Sequence, residues 1–233
     1  METKSGVKII NNLEKVILAN VDKSWAEFLL EQKQQAYYPQ LIDNLTNAYV
    51  TSTIYPDLKD ILKPMKMIKK NDVKVVIIGQ DPYHTVGVAD GLAFSSKQAQ
   101  IPPSLKNIFK EIAADVGIVN TSPNLENWAK QGVFLINSVL SVEQGKAKSH
   151  HNIGWKDFVV NLIKYIDNDN QLIFVLWGRD AQKYEEYIKH GIIIKGVHPS
   201  PLAGGGFFGQ NYFSRINTIL QEQGKTQIDW RTF

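Results

Sequence analysis

The sequence predicts an α/β fold, a three-layer αβα sandwich around a central four-stranded parallel sheet. Three observations carry this reading. Residues 73–78 form a β-branched apolar run broken only by Lys74, the mark of a buried parallel strand. Similar runs recur at residues 133–136, 172–177 and 192–197. Between them lie segments whose apolar residues fall at helical spacing, and strands alternating with helices imply right-handed crossovers with helices on both faces of the sheet.

Taken in order, Trp25, Phe28 and Leu29 share one helical face, and Leu41, Leu45, Ala48 and Tyr49 share a second, with Pro39 separating the two helices. Pro56 and Pro64 punctuate a looser stretch with room for one short helix near residues 58–62. The first strand stops where Gly79 frees the backbone and Pro82 bars a further ladder bond. A loop with two glycines follows, and residues 91–95 turn back toward the core. Pro102 and Pro103 stiffen the entry to a helix carrying Leu105, Ile108, Phe109, Ile112 and Val116. Ser122-Pro123 reads as an N-cap followed by proline at the first helical position, in a short helix ending near Gly132. The second strand, 133–136, has Asn137 at its exit.

Residues 144–153 form a polar loop, and an amphipathic helix then places Trp155, Phe158, Val159, Leu162, Ile163 and Ile166 on one side. The third strand, 172–177, a helix over 179–189 and the fourth strand, 192–197, lead directly to His198. A glycine run, Gly204-Gly205-Gly206, precedes the last helix, which carries Tyr212, Ile216, Ile219 and Leu220. With no internal repeat, low-complexity tract or linker, residues 1–233 are expected to form one domain.

The 233 residues are 43% hydrophobic and 21% charged, ordinary for a globular protein. A net charge of +3 permits nucleic-acid binding only through a local patch. There is no cysteine, which excludes a disulfide framework and thiolate metal ligands. Residues 1–6 lack the basic-then-apolar order of a signal peptide, and no apolar run is long enough to span a bilayer, so a cytoplasmic protein without membrane contact is expected.

Parallel strands share a direction, so Asp81, Asn137 and His198, each just beyond a strand's C-terminal end, should converge in one crevice. A carboxylate, an amide and an imidazole suit a hydrolase without metal. Asp81 can orient water or offset positive charge on a sugar, and His198 can hydrogen-bond a departing anion. Asn137 presents a donor and an acceptor side by side, matching an amide-like ring edge. Phe94 offers a stacking face and Tyr83 a steric wall. Glycoside cleavage commonly uses two carboxylates, and His198 can replace the second when the leaving group is good. Each residue also has a plainer reading: Asn137 as a turn cap, His198 as a satisfied buried histidine, Phe94 as core. Their joint placement on one sheet edge favours chemistry. His150 and His151 are adjacent with no third ligand spaced nearby, and Gly79 and Gly87 make no dinucleotide or phosphate-loop fingerprint, so neither a metal nor a cofactor is expected.

Gly79-Gln80-Asp81-Pro82-Tyr83-His84 and His198-Pro199-Ser200-Pro201-Leu202 resemble the two signature motifs of family-1 uracil-DNA glycosylases. Residues 91–95, 102–105, 133–137, 149–150, 176–178 and 206–209 follow in the family's order, so the likeness runs from about Tyr55 to Leu220. The resemblance implies hydrolysis of the bond between uracil and deoxyribose in DNA, after the nucleotide rotates out of the helix. It implies that Asp81 positions and activates water, that His198 and the Gln80 backbone N–H donate to uracil O2, and that Asn137 reads the base edge. Phe94 would stack on the ring, Tyr83 would exclude a thymine methyl, and His84 would hold water or a nearby phosphate. Ser104 and Ser200 would grip flanking phosphates, and Leu202 would fill the vacated space.

The implied partners are uracil-containing single- or double-stranded DNA and an acidic inhibitor protein that mimics DNA, with the enzyme a monomer. The competing expectation is a non-catalytic DNA-binding or processivity module on the same fold. Two departures stand out. Ala203-Gly204-Gly205-Gly206 is one residue shorter than the family's loop and lacks its basic residue, so Lys146, Lys148 and His150 are expected to carry more of the phosphate attraction. Asp90 stands where the family commonly has His, with no role legible at this stage.

Overall fold

A computed structural model describes residues 13–168 and 171–233, so the reading of residues 1–6 lies outside the described residues. The helices among them are α1 (Leu13–Leu18), α2 (Ala26–Lys33), α3 (Tyr38–Thr51), α4 (Lys63–Met67), α5 (Pro103–Val116), α6 (Glu126–Lys130), α7 (Trp155–Ile166), α8 (Arg179–Gln182) and α9 (Tyr212–Glu222). The strands are β1 (Ile54–Tyr55), β2 (Val75–Gly79), β3 (Val133–Asn137), β4 (Val142–Glu143), β5 (Ile173–Trp177) and β6 (Ile192–Gly196).

The four long strands form one parallel sheet in the order β3-β2-β5-β6. Every residue of β2, β3 and β5 is buried, as continuous apolar runs covered on both faces should be. The edge strand β6 is partly exposed and carries Lys195, which suits a strand with one open side. On one face Trp25 lies 5.3 Å from Phe134, and Phe28 packs between Phe158 and Tyr165. On the other, Trp128 and Phe213 each pack edge-on against Trp230, and Trp177 joins them through Phe213. The three-layer αβα sandwich with its four-stranded parallel sheet is therefore present. No described helix is long and apolar enough to cross a membrane.

Register places the site. Gly79 pairs with Asn137 and Trp177 with Gly196, so all four strands end along one edge. His198 follows two residues beyond β6.

The local readings differ from the structure in five places. Pro39 sits in the first turn of α3, where its missing N–H costs nothing, and does not act as a spacer. The stretch after Pro56 forms a single 3-10 turn at Leu58–Asp60 and then α4. The helix after Ser122 begins only at Glu126, because Asn124 Oδ1 accepts from its N–H at 2.8 Å while Ser96 N–H draws the Pro123 carbonyl away at 3.1 Å. Residues 179–189 are no single helix: tight bonds from Tyr184 N to Ala181 O and from Ile188 N to Glu185 O replace the α ladder, burying Tyr184 and Ile188. The two-residue pairing of β1 with β4 carries too little sequence pattern to be predicted.

Candidate active site

Of the ten candidate residues, nine line one open cavity of about 290 Å³: Gln80, Asp81, Tyr83, His84, Phe94, Ser104, Asn137, His198 and Ser200. The tenth, Leu202, lies outside it and is 96% exposed.

Asp81 leaves β2 half-buried, and one of its carboxylate oxygens accepts from the Lys148 backbone N–H at 2.9 Å. Lys148 reaches this position in the left-handed region, at φ 65°, which non-glycine residues rarely occupy. The 144–153 loop therefore contributes a backbone donor that aims the carboxylate.

Asn137 is buried on the adjacent strand. Its Oδ1 approaches Gly79 so closely that a Cβ there would stand 2.2 Å away, so Gly79 is required for room beside the amide.

His198 is partly buried, and burial pushes its imidazole below the ordinary value of 6.5, against an opposing pull from the Asp180 carboxylate. Its Nδ1 accepts from Ser200 N–H at 3.0 Å. A neutral imidazole that accepts at Nδ1 carries its proton on Nε2, which makes Nε2–H the available donor. Gly178 passes beneath it at φ 86°, and a Cβ there would meet His198 Cβ at 2.8 Å.

Phe94 is the most constrained wall residue. Its backbone is left-handed at φ 65°, its carbonyl accepts from Tyr83 Oη at 3.2 Å, and its ring lies 6.0 Å from that of His198. Backbone strain of this kind costs about 1–3 kcal/mol and persists only when neighbours enforce it. Asp90 is the enforcer. It is fully buried, accepts from Leu92 N–H at 3.0 Å and from Ser95 Oγ at 2.6 Å, and pairs with Lys63 at 3.5 Å. Ser95 Oγ in turn accepts from Leu125 N–H at 3.0 Å. The carboxylate in place of the expected His thus clamps the turn that presents Phe94.

Ser104 stands in the first turn of α5 and Ser200 at the start of the turn after β6. Asn107 Nδ2 donates to the Pro199 carbonyl at 2.8 Å and ties these two hydroxyl-bearing loops together. Among the described residues no three His, Asp or Glu side chains form a metal-ligating cluster.

One part of the basic-loop expectation fails. His150 is buried and shares a 2.8 Å hydrogen bond with Ser141, whose Oγ also accepts from Trp155 Nε1–H at 2.7 Å, so it faces no phosphate. Lys146 is ion-paired to Glu143 at 2.7 Å. The residues that sequence reasoning missed are Lys148, through its backbone, and Glu111. Glu111 is a buried carboxylate that accepts from Gly209, Gln210 and Asn211 N–H at 2.7–3.0 Å and anchors the far end of the glycine loop.

Residues 65–221 match the family model described as the uracil DNA glycosylase superfamily. A protein named uracil-DNA glycosylase from Fusobacterium nucleatum is 42% identical over 221 residues, spanning 92% of this chain and 97% of its own length. One from Desulfitobacterium hafniense is 46% identical over 212 residues, spanning 89% and 95%. The crystal structure of mimivirus uracil-DNA glycosylase superposes with a TM-score of 0.87 at 28% identity, covering 95% of this chain and 90% of that one. A variant of the mimivirus protein, solved in complex with UGI, superposes equally well.

Proposed function

The chain belongs to the uracil-DNA glycosylase family, and on that premise we propose how its cavity removes uracil from DNA. The observation that carries the proposal is the meeting of Asp81, Asn137, Phe94 and His198 around one cavity at the lower end of ligand-pocket sizes, suited to a single flat ring.

A base inside a duplex hides its glycosidic bond, so the nucleotide must turn out at a cost of a few kcal/mol. Ser104 and Ser200 hold the flanking phosphates, and Leu202 enters the gap the base leaves. Uracil then stacks on Phe94 while Asn137 donates and accepts along its edge, an order that cytosine does not match. Tyr83 fills the space a thymine methyl would need. As the bond between N1 and C1′ breaks, its electron pair stays with the base and charge builds on O2. His198 Nε2–H and the Gln80 backbone N–H stabilise that charge, and one such donor is typically worth about 10²–10³ in rate. The sugar becomes oxocarbenium-like beside the Asp81 carboxylate. Asp81, aimed by Lys148 N–H and flanked by His84, directs water to C1′ and receives its proton, leaving an abasic site and a uracil anion; solvent then returns that proton to the base as Asp81 ionises again.

A purely DNA-binding module is the weaker reading, because a binder needs neither the strained Phe94 nor the aimed carboxylate. The mimivirus relative's complex with UGI supports a protein partner of that kind for this chain. The function is tested with oligonucleotides carrying uracil, thymine or cytosine at one position, followed by alkaline cleavage of abasic sites. Strand scission is expected with uracil alone. Equal scission with thymine would refute the role of Tyr83, equal scission with cytosine would refute that of Asn137, and no scission with uracil would refute the reaction.

A further inference from the structure

Gln80 is held at three points. The Gly79 carbonyl accepts from Ser138 N–H at 3.0 Å. A trans peptide points its C=O and N–H in opposite directions, so the Gln80 N–H is fixed from behind by that bond. The Gln80 carbonyl accepts from Ser138 Oγ at 2.7 Å and Val139 N–H at 3.1 Å. Its side chain turns away from β3 and donates from Nε2 to Asp180 Oδ2 at 2.8 Å. The other oxygen of Asp180 accepts from Lys183 Nζ at 2.6 Å.

Asp180 lies two residues after Gly178, the glycine that passes beneath His198. The segment 178–183 therefore touches both groups aimed at the departing base: His198 through Gly178, and Gln80 through Asp180. An Asp180–Lys183 pair at a half-exposed site would by itself contribute little, because water and salt screen it. Its bond to Gln80 gives it a second use.

We propose that Asp180 is a positioning residue for uracil excision, accepting from the Gln80 side chain and so fixing the Gln80 backbone N–H against O2 of the leaving base. The inference rests on the uracil-excision reading above. Gln80 has no freedom to drift while its side chain is tethered on one flank and its two peptides on the other. Loss of the tether loosens the donor only where charge develops, so the effect falls on kcat and not on KM.

Asp180 also bears on His198. The charged or titratable groups lining the spaces around the imidazole are Asp81, Tyr83 and His84 in the cavity, Lys148, Arg179, Asp180 and Lys183 on one side, and Lys195 and Tyr212 on the other. Of these, Asp180 is the one whose field favours the imidazolium, against burial. Removing its charge should move the acid limb of the rate profile to lower pH.

The test measures kcat, KM and the acid limb on a single-stranded uracil oligonucleotide for wild type, Asp180→Ala, Asp180→Asn, Gln80→Ala and the double variant Gln80→Ala/Asp180→Ala. Asp180→Ala should lower kcat about tenfold, a fraction of what losing a whole donor costs, with KM unchanged. Asn keeps an acceptor oxygen, so Asp180→Asn should recover most of kcat while its acid limb moves down. Gln80→Ala should match Asp180→Ala, and the double variant should be no worse than either. An Asp180→Ala kcat within twofold of wild type, or a double variant whose loss is the product of the two single losses, would overturn the inference. If Asp180→Ala is unfolded by thermal melting, Gln80→Ala and Asp180→Asn decide: Gln80→Ala at the wild-type kcat overturns the tether. A wild-type protein that releases no uracil would instead remove the underlying reading, so the two failures are distinguishable.

Discussion

Asn137 is 6% exposed and Leu202 is 96% exposed, although both belong to one proposed site. The cavity floor is built from strand ends and fixed by bonds to backbone N–H groups: Lys148 N–H donates to Asp81, Ser200 N–H to His198, and Leu92 N–H to the Asp90 carboxylate beneath the Phe94 turn. The loop carrying Leu202 is built the opposite way. Gly204, Gly205 and Gly206 all take left-handed φ values, and a Cβ on Gly204 or Gly205 would meet nothing within 4 Å. Glu111 pins only its far end. The contrast separates two tasks. Groups that stabilise charge must be in place before the reaction, because reorganising them during it costs rate. A residue that follows a base out of a duplex has no partner until DNA arrives, so nothing in the free protein packs on it.

Four substitutions can break or sharpen that contrast. The largest effect belongs to the floor: Asp81→Asn should lower single-turnover uracil release by about 10³-fold or more, on single-stranded and duplex DNA alike, while DNA binding stays within a few-fold. A loss confined to duplex would place Asp81 with the loop's task. Next is the loop. Leu202→Ala should reduce duplex excision about tenfold and leave single-stranded excision within about twofold, because only duplex DNA demands that stacking be replaced. Equal losses on both substrates would mean that Leu202 supports the floor. Smallest is the basic rim. Lys148→Ala should lower the salt slope of DNA binding by about one, and Lys146→Ala should lower it less, since Glu143 already neutralises that ammonium. An unchanged slope for both would leave the glycine loop's missing charge uncompensated here.

The same contrast explains what the sequence disclosed. The strands were legible because covered parallel strands demand unbroken apolar runs, and Val75–Gly79 and Val133–Asn137 supply them. Asp81, Asn137 and His198 were legible because strand direction alone puts their ends on one edge. What remained hidden are bonds between a carboxylate and a backbone amide, those of Asp81 and Glu111 joining residues far apart in sequence. Asp90, Glu111 and the Lys148 N–H act through distance and direction, which no spacing rule encodes. His150 misled for the related reason that a histidine in a basic loop looks exposed, whereas it is buried against Ser141, whose Oγ also accepts from Trp155 Nε1–H. The region after Trp177 misled because Tyr184 and Ile188 reach the core through 3-10 turns at nearly helical spacing.

At the centre of the account is a neutral His198 that donates from Nε2 beside Asp81. Nitrogen-15 NMR of the histidine rings tests this directly: the chain has only five histidines, and His198→Gln assigns the signal. At neutral pH the spectrum should show a protonated Nε2 and a bare Nδ1. The ring should take its second proton only below the ordinary 6.5, because burial disfavours the imidazolium, and uracil release should fall as pH drops through that same point. An imidazolium at neutral pH, or a proton on Nδ1 in place of Nε2, would contradict the account.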